Sequence, residues 1–182
     1  MDALTLLLER RSCHALQEPG PDDVALDVIF RAALRVPDFR RLRPYRFMAA
    51  QGAGLERLGV LMAGAAKASG RSVDDIERAY KMPRRAPLVI VVVAMARKSE
   101  IVTLFEQQLT AGCAVMAMQM AAVAQGFAGV WRSGWPMFDL HLARALGLGK
   151  DDRIVGFLYI GTAAKTLNPP PEAAPAAFVS TL

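Results

Sequence analysis

From Gln107 to Trp131 the chain runs 25 residues without a charged side chain, and Arg132 ends the run. A bilayer span needs about 20 predominantly apolar residues, so length alone would let this segment cross a membrane. Its composition argues against that. Ala and Met dominate over Leu and Ile, Gln119 and Gln125 lie inside the run, and Gly126 and Gly129 interrupt it before Trp131. Residues 109–125 are good helix formers and apolar nearly all round, the pattern of a helix buried in a core or at a subunit interface. Small Ala and Gly positions allow close helix approach. On this reading Arg132 delivers a cation to an anionic ligand instead of flanking a bilayer.

The chain of 182 residues is 53% hydrophobic, with a mean hydropathy of +0.25. The length predicts one domain over residues 1–182, and the apolar excess predicts an obligate oligomer. The opening Met-Asp-Ala has no basic stretch followed by an apolar one, so no secretory signal is expected and the cytoplasm is the expected location. Cys13 and Cys113 form neither a disulfide framework nor a metal pattern, and His14 and His141 stand apart from any ligand cluster. No metal is expected, and both thiols are expected to be free and at least partly buried.

Apolar periodicity and capping residues outline alternating helices and strands. Asp2 caps a first helix through about Arg11, with Leu4, Leu7 and Leu8 on one face. Pro21-Asp22-Asp23 starts a second helix, whose apolar positions are Val24, Leu26, Val28, Ile29 and Leu34 and which ends before Pro37. A short strand follows at 45–50. Helices are expected over 55–68 and 73–81, split by Ser69-Gly70-Arg71-Ser72. The β-branched run at 87–96 reads as a buried strand. The long helix over 103–125, a strand near 127–131, a helix near 139–146 and a strand over 154–160 complete the order. Such a mixture implies three layers, α+β or α/β. Residues 165–182, rich in Pro and Ala, are expected to form an extended C-terminal arm.

No dinucleotide fingerprint or P-loop is present, since Gly52-Ala53-Gly54-Leu55 lacks the third glycine and the lysine. Neither a nucleophile elbow nor a paired-carboxylate constellation stands out. If the chain is an enzyme, a cofactor carries the chemistry. Lys and Arg total 22 against 17 acidic residues, and only five of the 22 are lysines. The positive charge is therefore mostly of the planar, bidentate kind suited to phosphate. Arg10-Arg11-Ser12 and Arg132-Ser133 each set guanidinium donors beside a hydroxyl at an element boundary. For Arg10 and Arg11 the plainer alternative is stabilisation of a helix C-terminus.

These motifs carry a resemblance. Residues 1–12, Arg35-Val36-Pro37-Asp38 and Arg43-Pro44-Tyr45-Arg46-Phe47 are similar to the opening of the FMN-dependent nitroreductases. The stretch from Ala111 to Gly126, then Trp131-Arg132-Ser133-Gly134, then 154–162, resembles a small bacterial subgroup of that family, the NAD(P)H nitroreductases. The likeness runs in order along nearly the whole chain. It implies a three-layer α+β fold with a central mixed sheet, and an intertwined homodimer with FMN at each subunit interface. By the same likeness Arg10, Arg11 and Ser12 match one flavin-binding motif, and Trp131, Arg132 and Ser133 match a second. Arg35 matches a basic position supplied by the partner subunit. The implied reaction is ping-pong: NADH or NADPH gives hydride to flavin N5, and a nitroaromatic or quinone-like acceptor then takes it. No catalytic side chain is required.

The segment after Asp38 departs from the family pattern. Phe39 occupies a position where a polar flavin contact is expected, and could instead pack against the flavin ring or the substrate. The stretch from Arg31 to Arg46 holds six arginines, with Phe39 and Tyr45 among them. A solvated basic face, a grip on nucleotide phosphates and, least favoured, a nucleic-acid strip all remain open. Two other functional classes stay beside the flavin oxidoreductase: a flavin-binding relative with other flavin chemistry, and a redox-inactive binding protein.

Overall fold

Side chains alternate across a strand, so a strand buried on both sides must sit between two apolar layers. The run at 87–96 meets that condition. The computed structural model describes residues 1–170 and 173–182. In it Leu88–Ala94 (β3) is buried at every position. Val89, Val91 and Val93 join a core with helices Ala53–Ala68 (α3), Val73–Lys81 (α4) and Leu140–Ala145 (α7). Leu88, Ile90 and Val92 face the opposite core, built with Asp23–Ala33 (α2) and Leu104–Ala124 (α5). Helix, sheet, helix is therefore the layering, and the expected three-layer α+β fold is found.

The sheet is antiparallel throughout. Tyr45–Gln51 (β2) pairs β3, which pairs Arg153–Ala163 (β5). The far edge of β5 takes Ala128–Arg132 (β4) and, beyond it, the two-residue strand Leu16–Gln17 (β1). Every pairing among the described residues is thus antiparallel, where a mixed sheet was expected. The short β1 has no periodic signal of its own and forms only because β5 extends past β4. Trp135–Phe138 (α6), one turn long, was likewise unforeseen.

Most other boundaries fall where capping chemistry puts them. Helix α4 spans the expected residues, with Ser72 as its N-cap. Asp22 caps α2. The first helix, Ala3–Glu9 (α1), is capped by Asp2 but ends short of Arg11, because Arg10 turns to an extended ψ of 130°. No residue of α1 is buried, and Leu4, Leu7 and Leu8 all face outward. In α2 Leu26 and Ile29 enter the core, whereas Val24, Val28 and Leu34 are exposed. The period correctly marks apolar positions; which of them this chain covers depends on what packs alongside.

The uncharged helix is half buried. Ala111, Ala114, Val115, Met118 and Ala122 of α5 line the core, while Leu109, Cys113 and Met116 lie on the exposed side. Among the described residues no helix is long and apolar enough to cross a membrane. Its two buried glutamines are latches. Gln107 accepts from Arg97 N at 2.7 Å and donates to Arg97 O at 2.9 Å, and Gln119 donates to Gly129 O at 2.9 Å. The expected arm beyond residue 165 has one short turn at Pro175–Ala177; residues 171–172 of it lie outside the described part.

Candidate functional site

The chain leaving α1 is drawn to the open edge of the sheet by its backbone. Cys13 N donates to Gly129 O at 3.0 Å, the same carbonyl that Gln119 reaches from α5. Residues 10–14 therefore run beside β4, whose far end carries Trp131 and Arg132. One sheet edge gathers both arginine motifs, though 120 positions separate them in sequence.

Arg11 stands at the near end of this edge. Its Nη1 donates to Glu9 O at 3.0 Å, so it does serve the end of α1, and its Nη2 donates to Leu167 O at 3.3 Å. Arg10 and Arg11 line a cleft with Met1, Val123, Phe127 and Leu167. Arg132 occupies the other end. Its guanidinium lies 5.5 Å from the centre of the Tyr159 ring, and its Nη2 is 3.3 Å from His14 Nδ1. Burial pushes the Tyr159 hydroxyl above the ordinary tyrosine value, against which Arg85 and then Arg132 pull it down. Arg132 is not part of the Arg10–Arg11 cleft, so within one chain the two motifs share an edge and not a single pocket.

Trp131 points to the opposite face of the sheet. Its indole Nε1 donates to Val155 O at 3.1 Å, and the far edge of the ring lies 3.5 Å from where a Cβ on Gly112 of α5 would be. Gly156 makes this possible, because a Cβ there would sit 1.9 Å from Nε1. Ser12 and Ser133 are exposed, and no hydrogen bond among the described residues engages either hydroxyl.

Among the described residues three buried side-chain nitrogens lack a partner: Nε of Arg11, Arg71 and Arg132. Arg71 stacks at 4.1 Å on Trp135, which comes just after the second motif in sequence and is part of neither. The other two fall one in each motif. A buried guanidinium N–H without an acceptor is costly, and because the two lie at opposite ends of the edge, a ligand that serves both must span it with acceptors at each end. The donor set thus fits a phosphate-bearing ligand.

Arg35 and Phe39 are not brought to this edge by any contact among the described residues. Both are exposed. His14, Arg85 and Tyr159 join Arg132 without having been singled out. The only sequence signal was the pair Arg84-Arg85 just ahead of β3; the rest is set by sheet pairing. Among the described residues no group of His, Cys, Asp or Glu could hold a metal.

Residues 7–162 match the nitroreductase family. The chain is 45% identical over 174 residues to "Putative NAD(P)H nitroreductase YdjA" of Escherichia coli (strain K12), covering 93% of this chain and 95% of that one. It is 39% identical over 163 residues to a "Putative NAD(P)H nitroreductase" of Haemophilus influenzae, covering 89% of each. Among solved structures, a nitroreductase-like family protein from Bacillus cereus superposes with a TM-score of 0.86 at 19% identity, over 100% of this chain and 96% of that one. The FMN and NADPH-dependent nitroreductase NfnB from sphigopyxis sp. strain HMH gives 0.75 at 18% identity, over 100% and 99%.

Proposed function

The chain belongs to the nitroreductase family, a family of oxidoreductases, and on that premise we propose that it is an FMN-dependent NAD(P)H oxidoreductase. The observation that carries the reading is the pair of buried, partnerless guanidinium nitrogens on Arg11 and Arg132, one in each arginine motif. Bound FMN would supply the hydride-carrying chemistry between NAD(P)H and a nitroaromatic or quinone-like acceptor, in two half-reactions that share one site.

The chain's own residues bind and orient. Arg10, Arg11 and Ser12 on one side and Arg132 and Ser133 on the other offer guanidinium and hydroxyl donors to phosphate and ring oxygens. A charge-assisted hydrogen bond contributes roughly 1.5–3 kcal/mol. Trp131, held by Val155 and Gly156, offers an apolar wall that keeps water from the reacting face. Arg35 and Phe39 would complete the site across a homodimer interface, where the exposed apolar faces of α1, α2 and α5 meet their copies. Residues 1–182 would act as one domain, in the cytoplasm.

Purified protein should be yellow, or take up stoichiometric FMN, and NADH or NADPH should bleach it without oxygen. A colourless protein that gains no FMN would sink the proposal. Arg132→Ala and Arg10→Ala should each weaken FMN binding about tenfold or more with the circular dichroism unchanged; unaltered FMN titrations in both would move the site elsewhere.

A further inference from the structure

The loop after α2 holds an unusual backbone. Arg40, Arg41 and Arg43 have φ of 65°, 52° and 48°, the left-handed region that side-chain-bearing residues rarely adopt. Such conformations persist where the surroundings over-determine them, and they cluster at ligand clamps. Here the determinant is Asp38. Its Oδ1 accepts from Leu42 N at 3.1 Å and its Oδ2 from Arg43 N at 2.8 Å, while its carbonyl accepts from Arg41 N at 3.1 Å. The one carboxylate of the segment is thereby committed to the backbone. None of the ion pairs among the described residues involves Arg40, Arg41 or Arg43. All three are exposed.

We propose that the Asp38–Arg43 loop is a phosphate clamp that selects NADPH over NADH by gripping the 2′-phosphate of the coenzyme's adenosine. NADH and NADPH differ only in that group, a phosphate monoester where NADH has a neutral hydroxyl. Guanidinium forks bind the phosphate through charge-assisted, bidentate hydrogen bonds and gain little from the hydroxyl. Phe39, 63% exposed and with the Arg40 guanidinium 5.6 Å from its ring centre, offers a face on which an adenine can stack. A single-stranded nucleic acid would be tracked by a groove of cations with spaced aromatic platforms. Three guanidiniums within a four-residue turn suit one phosphate better. The proposal rests on the flavin oxidoreductase reading, in which Arg35 reaches the partner's flavin and Phe39 packs against the coenzyme substrate at the same interface.

The test compares kcat/KM for NADPH and NADH in the FMN-loaded protein and in a triple variant, Arg40→Asn, Arg41→Asn, Arg43→Asn. Asparagine tolerates the left-handed backbone, so the substitutions remove charge while sparing the turn. The parent should favour NADPH by about tenfold or more. The variant should lose that advantage while its NADH value stays within about twofold. Equal use of both coenzymes by the parent, or an unchanged ratio in the variant, overturns the proposal. Titration with adenosine 2′,5′-bisphosphate against 5′-AMP needs no electron transfer and reads the loop separately from the flavin. Preference for the bisphosphate, lost in the triple variant, supports the clamp. Equal binding of the two, or salt-dependent binding of a single-stranded oligonucleotide that alone responds to the substitutions, overturns it. Failure to bind FMN would instead sink the oxidoreductase reading.

Discussion

Arg132 is positioned by neighbours that lie far away in sequence. Its cation rests on Tyr159 and against His14, while the adjacent Trp131 is seated on Gly156. Alternation along β4 throws these two side chains to opposite faces, so the motif's members can serve different parts of one site. Replacing Gly156 by Ala should expel the indole, break its bond to Val155, and cost about 1–3 kcal/mol by overpacking. Chemical denaturation and tryptophan emission read this directly; unchanged values would mean the indole is not seated as described. Tyr159 makes a pH prediction. Its hydroxyl is held above the ordinary value by burial, so the unfolded chain ionises it first, near pH 10. The folded state then binds more protons than the unfolded one, and stability present below that pH falls as pH rises through it. Tyr159→Phe should flatten the decline in stability between neutral and strongly alkaline pH. An identical slope in the variant would clear Tyr159 of any part in it. None of these partnerships could be read from the motif, since Tyr159, Gly156 and Val155 depend on β5 lying beside β4 and His14 on the chain after α1 being held to Gly129.

At the scale of elements, α5 illustrates how local chemistry and packing divide the work. Thr103 and Glu106 form a reciprocal capping box at its start, a signature visible in the residues themselves. The hydrogen bonds from Thr103 hold the Glu106 carboxyl below its ordinary range. Thr103→Ala should cost about 1 kcal/mol, seen as a lower denaturation midpoint with an unchanged slope; no shift would mean tertiary packing alone holds that end. The start, the length and the apolar character of the helix were all legible. Which face would be covered was not, because a helix apolar nearly all round carries no internal direction. Gln107 and Gln119, anomalies in an apolar run, are explained by the loop and the strand they latch. The α1 boundary missed for the converse reason: Arg10 and Arg11 are sound helix formers, and the pull of Gly129 on Cys13 diverts the chain.

Across the whole molecule, exposed apolar residues gather on α1, α2 and α5: Leu4, Leu7, Leu8, Val24, Phe105, Leu109 and Met116. Exposed apolar faces call for cover, and the proposed isologous dimer would supply it with a single surface. Leu7→Lys together with Leu109→Lys should shift sedimentation toward the monomer and lower FMN occupancy on dilution, while a parent protein already monomeric would exclude the arrangement. The amino-acid sequence by itself determined most of the order of elements, several of their caps, the fully buried strand and the three layers; its family likeness added the α+β class and the two candidate arginine motifs. The elements, caps and layers are set by neighbours within a few residues or by runs of one polarity. Tertiary structure alone decided the antiparallel register, the small β1, the cluster of Arg132 with His14 and Tyr159, and the clamped left-handed turn at 38–43. Each of these arises from pairings that close long loops or from one carboxylate choosing among nearby donors. Such choices are made by three-dimensional competition and leave no periodic trace along the chain.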